Sequence, residues 1–237
     1  MVAGAFLASL QVARAAAHAR RIGEAFLLDL VSILIICGLL GARVLYVLLN
    51  LDYFHQHPWE IVKVWEGGLV FYGGFILAAL VGTIFTRYRG YPISDVADCL
   101  APGLALGQGI GRWGCFFAGC CYGKPTNLPW GVIFKDPASL APLGVRLHPV
   151  QLYESAGDIL LAGLLWVLLL RRKETHGDVF WMYLLGYGLL RFVMEILRGD
   201  DRGSLVGGLE PSQIIAMLAI LVAGSVLIVK KTAPHDA

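Results

Sequence analysis

Tyr187, Arg191 and Glu195 are spaced four apart, the interval at which side chains share one face of a helix. A guanidinium placed between a phenol and a carboxylate can do one of two things. It can neutralise itself against Glu195 inside a bundle, or it can be offered to an anion in a site. A second stripe, Gln151, Glu154 and Asp158 with Tyr153 beside it, follows His148-Pro149, and proline suits the first position of a helix. Its carboxylates are the kind that hold a buried arginine in place. In a third segment Gln108 and Arg112 stand four apart, and the chain runs on through Gly111-Arg112-Trp113-Gly114 to Cys115, Cys120 and Cys121. Two Gly-Gly steps, Gly67-Gly68 and Gly73-Gly74, flank Tyr72. They read either as tight packing or as backbone that a ligand head group can approach closely, since glycine has no Cβ.

The elements that carry these residues lie in lipid. The chain has 237 residues, of which 57% are hydrophobic and 15% charged, with a mean hydropathy of +0.69. Soluble domains run at about 45–50% apolar and about 25% charged, so this chain has too little polar surface to cover a water-soluble globule. Disordered chains are apolar-poor and are excluded for the opposite reason. A net charge of +2 gives no basic field for nucleic acid. The 29 glycines fit close helix packing in a bilayer. The expected fold is an all-α integral membrane protein, a single polytopic domain over 1–237 with an external loop or small cap at 119–148.

A span needs about 20 mostly apolar residues. Seven segments qualify: Val2–Ala17, Ala25–Leu49, Gly68–Thr86, Val96–Phe117, Val150–Leu170, Val179–Leu197 and Ile214–Val229. The first is short and interrupted by Gln11 and Arg14. Basic residues stand after it, not before it as a signal peptide requires, so an outside-to-inside helix that lacks its first turns is expected. Arg14, Arg20, Arg21, Arg87, Arg89, Arg171, Arg172, Lys173, Lys230 and Lys231 gather on one side close to helix ends. Lys63, Lys124, Lys135, Arg146, Arg198 and Arg202 are spread over the other. The first side is expected to be cytoplasmic, which puts the N-terminus outside and the C-terminus inside. Three arginines then fall within spans: Arg43, Arg112 and Arg191. Each costs at least about 2.5–3.5 kcal/mol at membrane depth and is expected to face a polar cavity or a partner.

With these residues placed, the chain resembles the prolipoprotein diacylglyceryl transferase family from about Ile22 onward. The resemblance rests on Gly41-Ala42-Arg43, Trp65-Glu66-Gly67-Gly68-Leu69 with Gly73-Gly74, and Asp98 with Ala101-Pro102. It continues through Gly111-Arg112-Trp113-Gly114, His148-Pro149-Val150-Gln151-Leu152-Tyr153-Glu154, Gly186-Tyr187-Gly188 with Arg191 and Glu195, and Ser212-Gln213. It implies transfer of a diacylglyceryl group from phosphatidylglycerol, or a related phospholipid, to the cysteine thiol of a lipoprotein signal peptide. It also implies a multi-pass protein of the bacterial cytoplasmic membrane with its site on the outer side. Arg112 and Arg191 match the family's two essential arginines, and Tyr187 its tyrosine. The family's histidine between the Gly-Gly steps is Tyr72 here. Its Asn-Phe-x-Asn-x-Glu after Gly-Arg-x-Gly becomes Cys115, Ala118 and Cys120 at the three polar positions. The lipid-binding half is therefore retained and the acceptor-handling half changed. The expected catalytic set is Arg112, Arg191, Tyr187, Cys120, Cys115 and Tyr72. The expected lipid-binding set is Arg43, Gly67, Gly68, Gly73, Gly74, Gln151, Tyr153, Glu154 and Glu195.

Cys37 and Cys99 read as small buried hydrophobes. For Cys115, Cys120 and Cys121 four readings stay open: a disulfide anchoring the loop, a thiol that takes part in the reaction, inert packing, and a metal site with His148. Their spacing matches no zinc pattern, so neither metal nor cofactor is assigned. The function classes left in competition are a phospholipid-dependent transferase, a thiol redox or sulfur-handling membrane protein, and a non-catalytic lipid-binding or transport protein. The arginines and Gly-Gly steps favour the first.

Overall fold

The computed structural model describes residues 1–171, 176–200 and 210–232. Arg172, Lys173 and Arg202, which entered the charge count, lie outside them. The described residues are mainly helical, with one small hairpin in the connection between α5 and α6. Every apolar segment expected to span forms a helix: α1 (Val2–Ala19), α2 (Glu24–Leu49), α4 (Phe71–Tyr88), α5 (Ile93–Ala118), α6 (Val150–Arg171), α7 (Asp178–Leu197) and α8 (Pro211–Thr232). A short α3 (Leu51–Gln56) follows α2. Five helices, α2, α4, α6, α7 and α8, are long and apolar enough to cross a bilayer. The other two are more polar: α1 carries Gln11 and Arg14, and α5 carries Asp95, Asp98, Gln108 and Arg112.

No linker marks a boundary in the sequence, yet the chain packs as two compact units: Met1–Arg20 with the described part of Ala97–Ala237, and Arg21–Val96. One boundary falls in the turn after α1 and the other inside α5, where composition gives no signal.

In the Arg21–Val96 unit, α2 and α4 meet backbone to backbone. A Cβ on Gly41 would stand 2.4 Å from the Gly73 carbonyl oxygen, and one on Gly73 would stand 2.3 Å from that of Gly41. Gly74 faces the Gly38 carbonyl in the same way, at 2.5 Å. Bare glycines let dispersion and weak Cα–H···O contacts replace side-chain packing, a device suited to lipid.

In the larger unit, α5 is the organising helix. Gly103 and Gly107 form a small-residue ridge against Ser9 of α1. Gly111, expected to extend that ridge, faces open space, and Gly109 instead packs against Ser155, Asp158 and Ile159 of α6. At the start of α5 the buried Asp98 caps α7, accepting hydrogen bonds from the Gly177 and Phe180 amides at 2.8 and 2.9 Å. Arg20 lies 3.4 Å from the same carboxylate. These are donors that a helix start leaves unpaired, and a carboxylate there also suits the helix dipole. Within 119–148, β1 (Val132–Ile133) pairs antiparallel with β2 (Arg146–Leu147).

Candidate active site

Four helices of the larger unit position a row of alternating charges. Arg112 of α5 meets Glu154 of α6, Nε to Oε2 and Nη2 to Oε1, both at 3.0 Å. Arg191 of α7 reaches the same carboxylate, Nη1 to Oε1 at 2.9 Å, and pairs one turn later with Glu195 at 2.6 Å. Glu195 also accepts a hydrogen bond from the Ser212 hydroxyl of α8 and faces Arg198 at 3.8 Å. Arg198 then forks onto Asp200, at 2.9 and 2.7 Å. Glu154 is 1% exposed, Glu195 4% and Arg191 9%. Buried ions of like sign repel strongly, so alternation is what makes the row tolerable. The i, i+4, i+8 stripe thus keeps both of its meanings. Arg191 is neutralised by its own Glu195, and it converges with an arginine from another helix.

Around this row the remaining candidates take distinct places. Tyr187 stacks on Tyr183, ring centroids 5.9 Å apart, and lies within electrostatic range of Arg112 and Arg191. Tyr183 donates to Gln108 at 3.0 Å. Asp158, one turn after Glu154, is buried, and among the described residues neither of its oxygens accepts a hydrogen bond. Gln151, fully buried, donates to the Cys120 carbonyl at 2.7 Å. Tyr153 points to the 119–148 segment, where its hydroxyl accepts from the Trp130 indole at 2.7 Å.

The end of α5 explains how the thiols gather. Gly119 adopts φ +70°, its amide bonds to the Phe116 carbonyl at 3.1 Å, and the Cys120 amide bonds to the Cys115 carbonyl at 3.1 Å. This is a Schellman stop, which folds the second residue past the helix onto the last turn. Cys121 is itself left-handed, at φ 58°. All three cysteines are free thiols, and their sulfurs lie within 4.8 Å of one another. His148, weighed as a metal partner, does not join them; its Nδ1 lies 3.5 Å from the Tyr153 hydroxyl.

Arg198 is a buried member of the row that its place in the sequence does not mark. It stands just past the end of α7, yet its side chain is 1% exposed. Burial opposes its charge, and the fork onto Asp200 with the nearby Cys121 more than offsets that, holding the guanidinium charged above its usual range. Its spacing, seven after Arg191 and three after Glu195, was the available signal.

In the Arg21–Val96 unit, Arg43 donates to four backbone carbonyls: Ile61 and Gly67 at 2.8 Å, Gly68 at 3.1 Å, and Glu60. Its guanidinium also stands over Tyr46 and Phe54. Arg43 therefore shapes the Gly67-Gly68 turn. Gly67 and Gly68 take φ +90° and +69°, and a Cβ on Gly68 would meet Tyr46 and Arg43. Tyr72 begins α4 beside Phe71, about half exposed.

A family profile described as prolipoprotein diacylglyceryl transferase matches residues 1–229. The chain belongs to the prolipoprotein diacylglyceryl transferase family. Among curated members, a phosphatidylglycerol–prolipoprotein diacylglyceryl transferase of Clostridium tetani is 38% identical over 223 residues, covering 94% of this chain and 88% of the relative. One of Finegoldia magna is 37% identical over 90% of this chain and 82% of its own length. A third, of Thermotoga petrophila, is 36% identical over 91% and 74%. This diacylglyceryl transferase family member carries its row of arginines and carboxylates within one packed unit, with three thiols gathered at the end of α5.

Proposed function

We propose that this protein transfers a diacylglyceryl group from phosphatidylglycerol to the cysteine thiol of a prolipoprotein. We place it in the bacterial cytoplasmic membrane with seven spans, the N-terminus outside, the C-terminus inside and the site on the outer side. The observation that carries the reading is the convergence of Arg112 and Arg191, from two helices, on the one carboxylate of Glu154. Glu154 fixes both guanidinium groups in place without using all of their N–H donors. A phosphate entering there finds two preorganised forks.

The reaction is displacement at a glycerol carbon. The acceptor sulfur forms an S–C bond, the C–O bond to the phosphate breaks, and glycerol phosphate leaves with the electron pair. Phosphatidylglycerol carries one negative charge, and the departing monoester gains a second. Arg112 and Arg191 favour the transition state over the bound lipid because the charge they meet grows during the step. Tyr187, beside both arginines, orients the leaving group. Glu195, Ser212 and Arg198 hold Arg191 from behind, which limits its reorganisation.

The test uses pure protein in detergent, phosphatidylglycerol and a signal-peptide substrate with one cysteine. Mass spectrometry should find the peptide heavier by one diacylglyceryl group, with an equal amount of glycerol phosphate released. Unchanged peptide, with lipid bound and intact, would overturn the reading in favour of lipid binding or transport.

A further inference from the structure

Cys115, Cys120 and Cys121 stand outside the phosphate-binding row and have no task in it. We propose that they bind one divalent thiophilic ion, such as Zn²⁺, whose fourth position takes the acceptor thiol. The inference rests on the transferase reading for its substrate, and on the thiol geometry for everything else.

Three sulfurs within 4.8 Å of one another are close to what such an ion needs. A tetrahedral zinc with Zn–S of about 2.3 Å sets its sulfurs about 3.8 Å apart, so the trio closes with side-chain adjustments of about 1 Å. No fourth Cys, His, Asp or Glu ligand atom joins the group among the described residues. Three protein ligands and one open position are the mark of a catalytic site; a structural site is closed by four. The backbone is committed to gathering the thiols. The Schellman stop at Gly119 lays Cys120 over Cys115, the left-handed Cys121 turns the third sulfur inward, and Gln151 holds the Cys120 carbonyl. Charge also fits. Three thiolates on a divalent ion leave one negative charge, and Arg198 and Arg112 both lie within electrostatic range of Cys121.

The chemistry follows from the coordination. A thiol that coordinates such an ion is deprotonated outright, so the acceptor S–H proton is released to water as the S–metal bond forms. The bound thiolate attacks the glycerol carbon, the S–C bond forms, and the C–O bond breaks with its electron pair leaving on glycerol phosphate. The product is a thioether, a weaker ligand than a thiolate, and it leaves the open position free. No oxidant or reductant takes part. A metal-bound thiolate thus forms without a separate protein base.

The experiment titrates Co²⁺ into the reduced, metal-free full-length protein in detergent. One equivalent should produce a thiolate-to-cobalt charge-transfer band and the visible absorption of a tetrahedral site, both erased by Zn²⁺. Cys120→Ser should abolish them, and Cys37→Ser should leave them unchanged. A cysteine-containing signal peptide should shift the visible absorption, and the same peptide with serine should not. Should Cys120→Ser fail to fold, protection of the wild-type trio from alkylation by Zn²⁺ gives the same answer. Absence of the band, its survival in folded Cys120→Ser, or a spectrum blind to the cysteine peptide would overturn the proposal. If the spectra appear as expected and phosphatidylglycerol yields no thioether, the metal and thiol site stands and the choice of donor falls.

Discussion

Glu154 grips Arg112 with both carboxylate oxygens, each 3.0 Å from a guanidinium nitrogen. The same carboxylate serves Arg191, so one acidic side chain on α6 fixes two cations from α5 and α7. Removing it takes the carboxylate from the half-buried Arg112 and leaves the buried Arg191 with Glu195 alone. Glu154→Ala should destabilise the protein by about 3–5 kcal/mol, the cost of breaking a buried pair, and reduce the folded yield in detergent. Glu154→Asp keeps the charge and should recover most of the folded protein. Thermal unfolding followed by size exclusion decides; equal stability of the two variants would show that the arginines find other partners.

Replacing Arg112 or Arg191 by Lys keeps the charge and loses the fork. Each change should lower kcat by about 10²–10³, the usual effect of losing one donor to a developing negative charge, with a smaller change in KM. A rise in KM alone would mean that the arginines only hold the lipid.

Gly73 gives a packing prediction of a different kind. Its Cβ position is occupied by the Gly41 carbonyl, so Gly73→Val must push α2 and α4 apart and should abolish folded protein. At Gly67 nothing lies within 4 Å and the difficulty is φ +90° alone. Gly67→Ala should cost about 1–3 kcal/mol, the range for a strained backbone, and leave the helix pair assembled. Expression and melting of the two variants separate the cases. Similar losses for both would assign the Gly67 effect to contacts, not to backbone strain.

Asp98 caps α7 from within α5. Asp98→Ala removes acceptors from two buried amides and should lower stability by about 1–3 kcal/mol per group left unsatisfied. Hydrogen exchange should accelerate at Gly177 and Phe180 first. If exchange there is unchanged, water or another acceptor takes over the cap.

The helices were legible because their apolar runs are long and broken by charge and proline. Arg191 with Glu195 was legible as a four-residue interval, and Glu154 as the acidic end of a motif next to buried arginines. Arg198 was not, because a basic residue just past a helix looks like a loop charge until the chain folds back. There the Gly199 amide bonds to the Tyr122 carbonyl at 3.0 Å and the Lys124 amide to that of Leu197 at 2.8 Å. The role of Arg43 was hidden for a related reason: its partners are carbonyls, which every residue has and no sequence pattern marks. The division into two units left no trace because it cuts through a continuous helix.

The glycine contact between α2 and α4 has a mechanical consequence. Side-chain interfaces can creep, because rotamers adjust while helices slide. Where carbonyl oxygens sit in the place of a missing Cβ on both partners, no such bearing exists. Gly41, Gly73 and Gly74 interlock like teeth, and a shift by a turn would set Cβ-bearing residues such as Leu45 or Leu77 where bare glycines now meet. The contact therefore resists sliding of α4 along α2.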